Sequence, residues 1–76
     1  MTPEHRGERA RTLLNNDVLK EAFETAEADC IAQWKATKAH DTDLREKLWT
    51  QVRAFDVIRS KLHQAIADGE IAKRSM

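Results

Sequence analysis

The segment from Asp41 to Gly69 constrains the fold of this chain more than any other. It has no Gly or Pro before its last residue, and an apolar side chain recurs at every third or fourth position. This period places the apolar side chains on one face of an α-helix. Asp41, Thr42 and Asp43 are all suitable N-caps, and Asp43 with Glu46 has the spacing of a capping box.

We therefore predict a long helix over residues 42–68. Gly69 is typical of a left-handed C-cap, so residues 70–76 are predicted to form a tail. The apolar stripe of this helix comprises Leu44, Leu48, Val52, Phe55, Ile58 or Arg59, Leu62, Ala65 and Ile66.

A second amphipathic helix is predicted over residues 17–37, capped by Asn16 or Asp17. Its apolar stripe comprises Leu19, Phe23, Ala26, Cys30 and Trp34. A short N-terminal helix over residues 8–15 precedes it. Thr2 and Pro3 also have the character of a helix start, but Gly7 weakens a helix that begins there.

A polar turn around residues 37–42 makes the two long helices antiparallel neighbours. If the turn centres near residues 39 and 40, Phe23 lies near Phe55, and the acidic flank of one helix faces the basic flank of the other. The predicted contacts are Leu19 with Ile58 and Leu62, Trp34 with Leu44 and Leu48, Glu27 with Arg53, and Glu21 with Arg59. The predicted fold class is all-α, a single domain over residues 1–76. It is an antiparallel hairpin of two long helices with a short N-terminal helical segment.

The overall composition excludes several classes of protein. Thirteen basic and thirteen acidic side chains give a formal net charge of zero, which does not indicate a strongly basic nucleic-acid binder. Cys30 is the single cysteine, so we predict a small buried hydrophobe and no intrachain disulfide. The charged N-terminus lacks the apolar centre of a secretory signal, and no apolar run reaches the ~20 residues of a membrane span. We expect a cytoplasmic protein with no membrane contact.

The sequence contains no motif for catalysis. Asp56, Ser60 and His63 have spacings that bring them to one helix face, but exposed residues of these types are usually solvated. Mid-helix N–H groups are already bonded, so no oxyanion donor is available. We predict no enzymatic activity, no catalytic residue and no cofactor.

A metal site is also not predicted. His40, Asp41 and Asp43 have the ligand chemistry for one, but a capping turn explains the same residues. The prediction is therefore no metal.

A two-helix hairpin leaves one side of its apolar seam uncovered. We predict that a protein partner or a second copy of the chain covers it, in preference to a self-sufficient three-helix monomer. Tryptophan is a common interface anchor, and some apolar residues lie off the main stripes. The predicted partner-binding residues are Trp34, Trp49, Val57 and Ile71.

Nucleic acid is a less favoured partner. Arg6, Arg9 and Arg11 form a basic cluster that offers contacts to phosphates. The other basic side chains of the last helix face carboxylates in the predicted register, which leaves few of them for a phosphate backbone.

Four sequence segments give the chain a family resemblance: RARTLLNNDVLKEAF, WKAT, DTDLREKLW and GEIAK. Over residues 9–73 the chain resembles small, mostly uncharacterised helical proteins encoded among the head and packaging genes of tailed bacteriophages and prophages. The resemblance implies a structural or assembly component of a phage head, neck or packaging machine, in the bacterial cytoplasm or the virion. Alternatives are a nucleic-acid-binding packaging accessory and a small phage-encoded regulator or inhibitor of a host protein. The resemblance carries over no catalytic residue.

Overall fold

The computed structural model describes residues 1–75 and contains three α-helices, with no strand in that range. They are α1 (Pro3–Leu14), α2 (Asp17–Ala36) and α3 (Thr42–Arg74). The all-α prediction is confirmed. The arrangement differs from two long helices of similar length, because the 33-residue α3 packs against both α1 and α2.

Helices α1 and α2 lie end to end along α3. Trp34 lies against Arg45 and Phe23 against Phe55, so α2 runs antiparallel to the first half of α3. Helix α1 continues in the same direction along the second half. The molecule measures 56 × 22 × 16 Å, and its long axis is close to the ~50 Å length of a 33-residue helix at 1.5 Å per residue.

Helix α1 begins five residues earlier than the predicted start at residue 8. The hydroxyl oxygen of Thr2 accepts a hydrogen bond from the backbone N–H of His5 at 3.1 Å, and Pro3 occupies the first helical position. These are the N-cap and N1 roles that the two residue types favour. Gly7 therefore lies inside the helix, and the prediction that it weakens this start is wrong.

Gly69 lies inside α3 and does not cap it. The helix continues to Arg74, so the predicted end at residue 68 is wrong, and residues 70–74 of the predicted tail are helical. Among residues 1–75 no glycine has a positive φ angle, which a left-handed cap would require. Residue 76 of the predicted tail lies outside the described residues.

Close packing against α1 explains why a glycine occupies this position in α3. Gly7 and Gly69 are both buried. A Cβ built on Gly69 would lie 2.9 Å from the carbonyl oxygen of Pro3, and one built on Gly7 would lie 2.9 Å from that of Ala65. The two glycines therefore allow the backbones of α1 and α3 to approach more closely than any side chain would permit.

The ends of α2 are stabilised by local hydrogen bonds. The side chain of Asn16 accepts from the N–H of Leu19 at 2.9 Å, so Asn16 is the N-cap. The helix ends at Ala36, one residue before the predicted end, and the Thr37 hydroxyl donates to the Trp34 carbonyl at 2.6 Å.

The turn before α3 differs from the predicted capping box. Asp41 holds the N-cap position, but its carboxylate accepts from the N–H of Lys38 at 3.0 Å and makes no side-chain bond to α3. The acidic side chain therefore closes the turn and leaves the first N–H groups of α3 without a side-chain acceptor.

The hydrophobic core is small. Among residues 1–75, Ala10 and Leu48 are the apolar side chains that are almost completely buried, with 3% and 4% of their surface exposed. Phe23 and Phe55 meet edge to face with ring centroids 5.7 Å apart, as predicted, but both remain half-buried. Cys30, predicted to be buried, is also partly exposed and lies 3.6 Å from Gln51 Oε1.

Candidate protein-interaction surface

Arg59 lies on the inner face of α3, which packs against α2, and the adjacent Ile58 lies on the outer face. The Arg59 guanidinium pairs with Glu27, and its central carbon lies 5.3 Å from the centre of the Phe23 ring. Ile58 is 46% exposed. The sequence allowed either residue on the inner stripe. The structure places Arg59 there, so the alternative that assigned Ile58 to the inner stripe is wrong.

The ion pairs predicted between the two long helices are also wrong. Glu27 pairs with Arg59 and not with Arg53, which leaves Glu21 without the predicted partner. Within residues 1–75 no donor has good hydrogen-bond geometry towards the buried Oε1 of Glu27, so the contact is primarily electrostatic. The Arg59 side chain is long enough to span more than one turn of α2. It can therefore pair with a glutamate other than Glu21, which lies opposite it in the predicted register.

A continuous set of exposed residues follows the outer face of α3. They recur with the three- and four-residue spacing of one helix face. We define the outer face by Glu46, Trp49, Thr50, Arg53, Ala54, Val57, Ile58 and Lys61.

Apolar side chains surround Thr50 and Arg53 at the centre of the outer face. Trp49 and Val57, two of the predicted partner-binding residues, are 58% and 52% exposed. They line one shallow hollow together with Thr50, Arg53, Ala54 and Ile58. Large exposed apolar side chains in one patch are typical of surfaces that contact another molecule.

Trp34 lies apart from this hollow, at the turn between α2 and α3. The Arg45 guanidinium lies 4.2 Å from the centre of a Trp34 ring, a cation–π geometry. Arg45 also donates to the Thr37 hydroxyl oxygen at 2.8 Å. An arginine therefore covers one face of the ring, and the contact of Trp34 with Leu44 and Leu48 stays a prediction.

Ile71 lies near the far end of α3. It is 60% exposed and lines a different hollow beside Pro3 and Arg6 of α1. Along a straight helix it is about 33 Å from Trp49, at 1.5 Å per residue. The four predicted partner-binding residues therefore lie at three separate positions on the surface, and the structure brings only Trp49 and Val57 together.

The three N-terminal arginines are exposed, and one of them forms an ion pair within the chain. Arg11 donates to a carboxylate oxygen of Glu70 at 2.9 Å. Arg6 lines the hollow that also contains Asp68, and Arg9 has no ion pair within the described chain. This arrangement offers fewer free guanidinium groups to phosphates than the sequence indicated.

The residues with catalytic spacing are not linked. Asp56 accepts a hydrogen bond from Arg59 at 3.5 Å. His63 lines a hollow next to Leu13 and Phe23, and within residues 1–75 no hydrogen bond joins Ser60 to either of the other two. In the same range no group of three metal-ligating side chains is present.

Sequence reasoning missed Ala54 and Ile58 on the outer face, together with the charged residues Glu46 and Lys61 at its two ends. A sequence signal for them exists. Starting from residue 46, the eight positions of the outer face repeat at three- and four-residue intervals, as a second stripe beside the one formed by Leu48 and Phe55.

In the part of the chain described by the structure, no helix has the length and apolar character needed to cross a membrane. No protein-family model, curated protein or solved structure matches the chain.

Proposed function

We propose that this chain is a non-enzymatic protein–protein interaction module that works through the outer face of α3. The observation that carries the proposal is the apolar hollow around Trp49 and Val57, which no other helix within residues 1–75 covers. Tryptophan buries a large area with few rotatable bonds, which makes it an effective interface anchor.

The shape of the molecule supports this role. Its radius of gyration is 16.6 Å, whereas a compact domain of 76 residues would have about 11 Å. Helices α1 and α2 form one layer and α3 forms the other, so the side of α3 that faces away from α1 and α2 is exposed along its length. Such a shape presents a surface to a partner.

The resemblance to small helical proteins of phage head and packaging gene regions gives the setting that we propose. The module would act in the assembly of a bacteriophage head, neck or packaging complex, in the bacterial cytoplasm or in the particle. Contact between proteins is the chemistry such a role requires, and the chain offers a surface of that type.

Co-expression of the tagged chain with the products of its neighbouring genes tests this proposal. We expect at least one product to co-purify with the wild-type chain and to be lost with Val57→Asp, which puts a charge into the apolar hollow. Val18→Asp is the matched control, because Val18 is 77% exposed on α2 and lies outside this face. Failure of every product to co-purify, or equal recovery with Val57→Asp, would contradict the proposed function.

A further inference from the structure

The outer face of α3 is chemically self-complementary. Its two ends carry opposite charges, Glu46 and Lys61, and its centre carries the apolar side chains of Trp49, Val57 and Ile58. In a two-fold symmetric contact, if one residue touches a second, the second touches the first in the other copy. A helix with opposite charges at equal distances from its apolar centre satisfies this condition when two copies meet antiparallel.

We propose that two copies of this chain associate through the outer face of α3. The helices run antiparallel about a two-fold axis that passes between Arg53 and Ala54. This inference rests on the proposed function. It identifies the partner that binds the outer face as a second copy of the chain.

The axis brings suitable side chains together across the contact. Thr50 lies opposite Val57 of the second copy, while Trp49 and Ile58, which are half a turn out of phase on α3, flank the contact on its two edges. Glu46 lies opposite Lys61 of the second copy, and symmetry makes this ion pair twice. Within residues 1–75 neither Glu46 nor Lys61 forms an ion pair in its own chain, so both charges are available.

The polar side chains near the axis can be accommodated. The Thr50 hydroxyl donates to the Glu46 carbonyl at 2.9 Å, so its methyl group can pack against Val57 without leaving a buried donor unbonded. Arg53 is exposed beside the axis. Its aliphatic stem can cover the apolar centre while the guanidinium extends into solvent at the edge.

The exposed area of the chain is large enough for such a contact. Its accessible surface is 6093 Å², whereas a compact monomer of this mass exposes roughly 4,700 Å². This difference is spread over the whole elongated chain, and an interface of standard size takes ~800 Å² from each partner. Zero formal net charge also removes long-range repulsion between two copies.

The size of the core favours a second copy for another reason. Ala10 and Leu48 are the almost completely buried apolar side chains of the described chain. Small domains with few buried side chains often gain stability through oligomerisation. Association through α3 would place a second apolar layer on the side of the helix opposite α1 and α2.

A charge-swap experiment on the full-length chain tests the axis. Sedimentation equilibrium at low salt, over a concentration series, measures the dissociation constant of the dimer. Glu46→Lys and Lys61→Glu each place like charges opposite each other twice, and we expect each to weaken association about tenfold. The double variant restores opposite charges at both places, and we expect a return to within about threefold of the wild type.

Two further variants distinguish an effect of the outer face on association from the general effect of adding a charge to the surface. Val57→Asp is expected to raise the dissociation constant by about a hundredfold or more, while Val18→Asp leaves it unchanged. Circular dichroism on the same samples checks that helix content is kept. Folding defects cannot explain a rescue, because the double variant contains both single substitutions.

A wild-type chain that stays monomeric at the highest concentration overturns the proposal. A double variant no tighter than either single variant overturns the placement of the axis. A monomeric chain that still retains a neighbouring gene product through Val57 would refute the dimer and leave the proposed function intact.

Discussion

Gly7 of α1 and Gly69 of α3 lie directly against each other, and a Cβ built on either would be 3.2 Å from the Cα of its counterpart. The same Cβ would lie 2.9 Å from a backbone carbonyl oxygen of the opposite helix. Backbone atoms cannot rotate away as a flexible side chain can. The contact of α1 with α3 therefore depends on the absence of a side chain at both positions.

Gly7→Ala and Gly69→Ala are expected to destabilise the protein. Overpacking costs about 1–3 kcal/mol, which exceeds the ~1 kcal/mol that alanine gains over glycine inside a helix. We expect a net loss of about 1 kcal/mol in the free energy of unfolding for each variant, measured by urea denaturation. Hydrogen exchange should become faster in α1, because separation of the two helices relieves the clash.

The matched control is Ser60→Ala, an exposed position within α3. Alanine there should change stability by no more than about 0.5 kcal/mol, because it meets no neighbouring backbone. A Gly69→Ala variant more stable than the wild type would show that the helices have room for a side chain, contrary to the structure.

The role of Gly69 shows where sequence reasoning reaches its limit. A glycine after a helical stripe is the usual sign of a C-cap, and the same residue is also what a close helix crossing requires. The choice depends on whether another helix lies beside it. That depends on a long-range contact with Gly7 of α1, which lies more than sixty residues earlier in the chain.

The helical content and the facing of Phe23 and Phe55 were predictable, because both follow from periodicity within each helix and from a short turn. The pairing of Arg59 with Glu27 was not. An arginine beside an isoleucine at the edge of a stripe is normally assigned to solvent, yet here the inward position belongs to Arg59. The outer face then becomes apolar because Ile58 is turned outward.

Leu48→Ala should be among the most destabilising single substitutions in α3. Leu48 is 4% exposed in a core with few other buried side chains, and truncation of a buried leucine costs about 2–5 kcal/mol. We expect the lower half of that range, since a thin two-layer structure can relax around the cavity. Thermal and urea denaturation both measure the loss.

Val18→Ala is the comparison for Leu48, because it also shortens an aliphatic side chain. Val18 is 77% exposed, and we expect a change within about 0.5 kcal/mol. Equal effects of the two substitutions would mean that Leu48 is not the centre of the core.

Arg59 and Arg11 make ion pairs of different burial, and they should differ in strength. The Arg59 and Glu27 side chains are 32% and 21% exposed, against 56% and 53% for Arg11 and Glu70. Arg59→Met is expected to cost about 1–3 kcal/mol, because it leaves the part-buried Glu27 without a partner and removes the contact with Phe23. Arg11→Met should cost no more than about 1 kcal/mol.

A double-mutant cycle with Glu27→Gln separates the pair energy from the packing of the arginine stem. We expect coupling between positions 27 and 59 that persists in 0.5 M salt to a greater degree than coupling between positions 11 and 70, because exposed pairs are screened. Zero coupling between 27 and 59 would show that Arg59 acts only through its contact with Phe23.

The stacking of Arg45 on Trp34 can be measured by fluorescence in a Trp49→Phe background, which leaves Trp34 as the single tryptophan. Arg45→Ala uncovers one face of the ring and removes the hydrogen bond to Thr37. We expect a red shift of the emission, stronger quenching by neutral acrylamide, and a loss of about 0.5–1 kcal/mol in stability. Arg53→Ala in the same background removes an exposed guanidinium that does not contact Trp34, and it should leave the spectrum unchanged. An Arg45→Ala spectrum identical to that of Arg53→Ala would mean that Trp34 is not covered by Arg45 in solution.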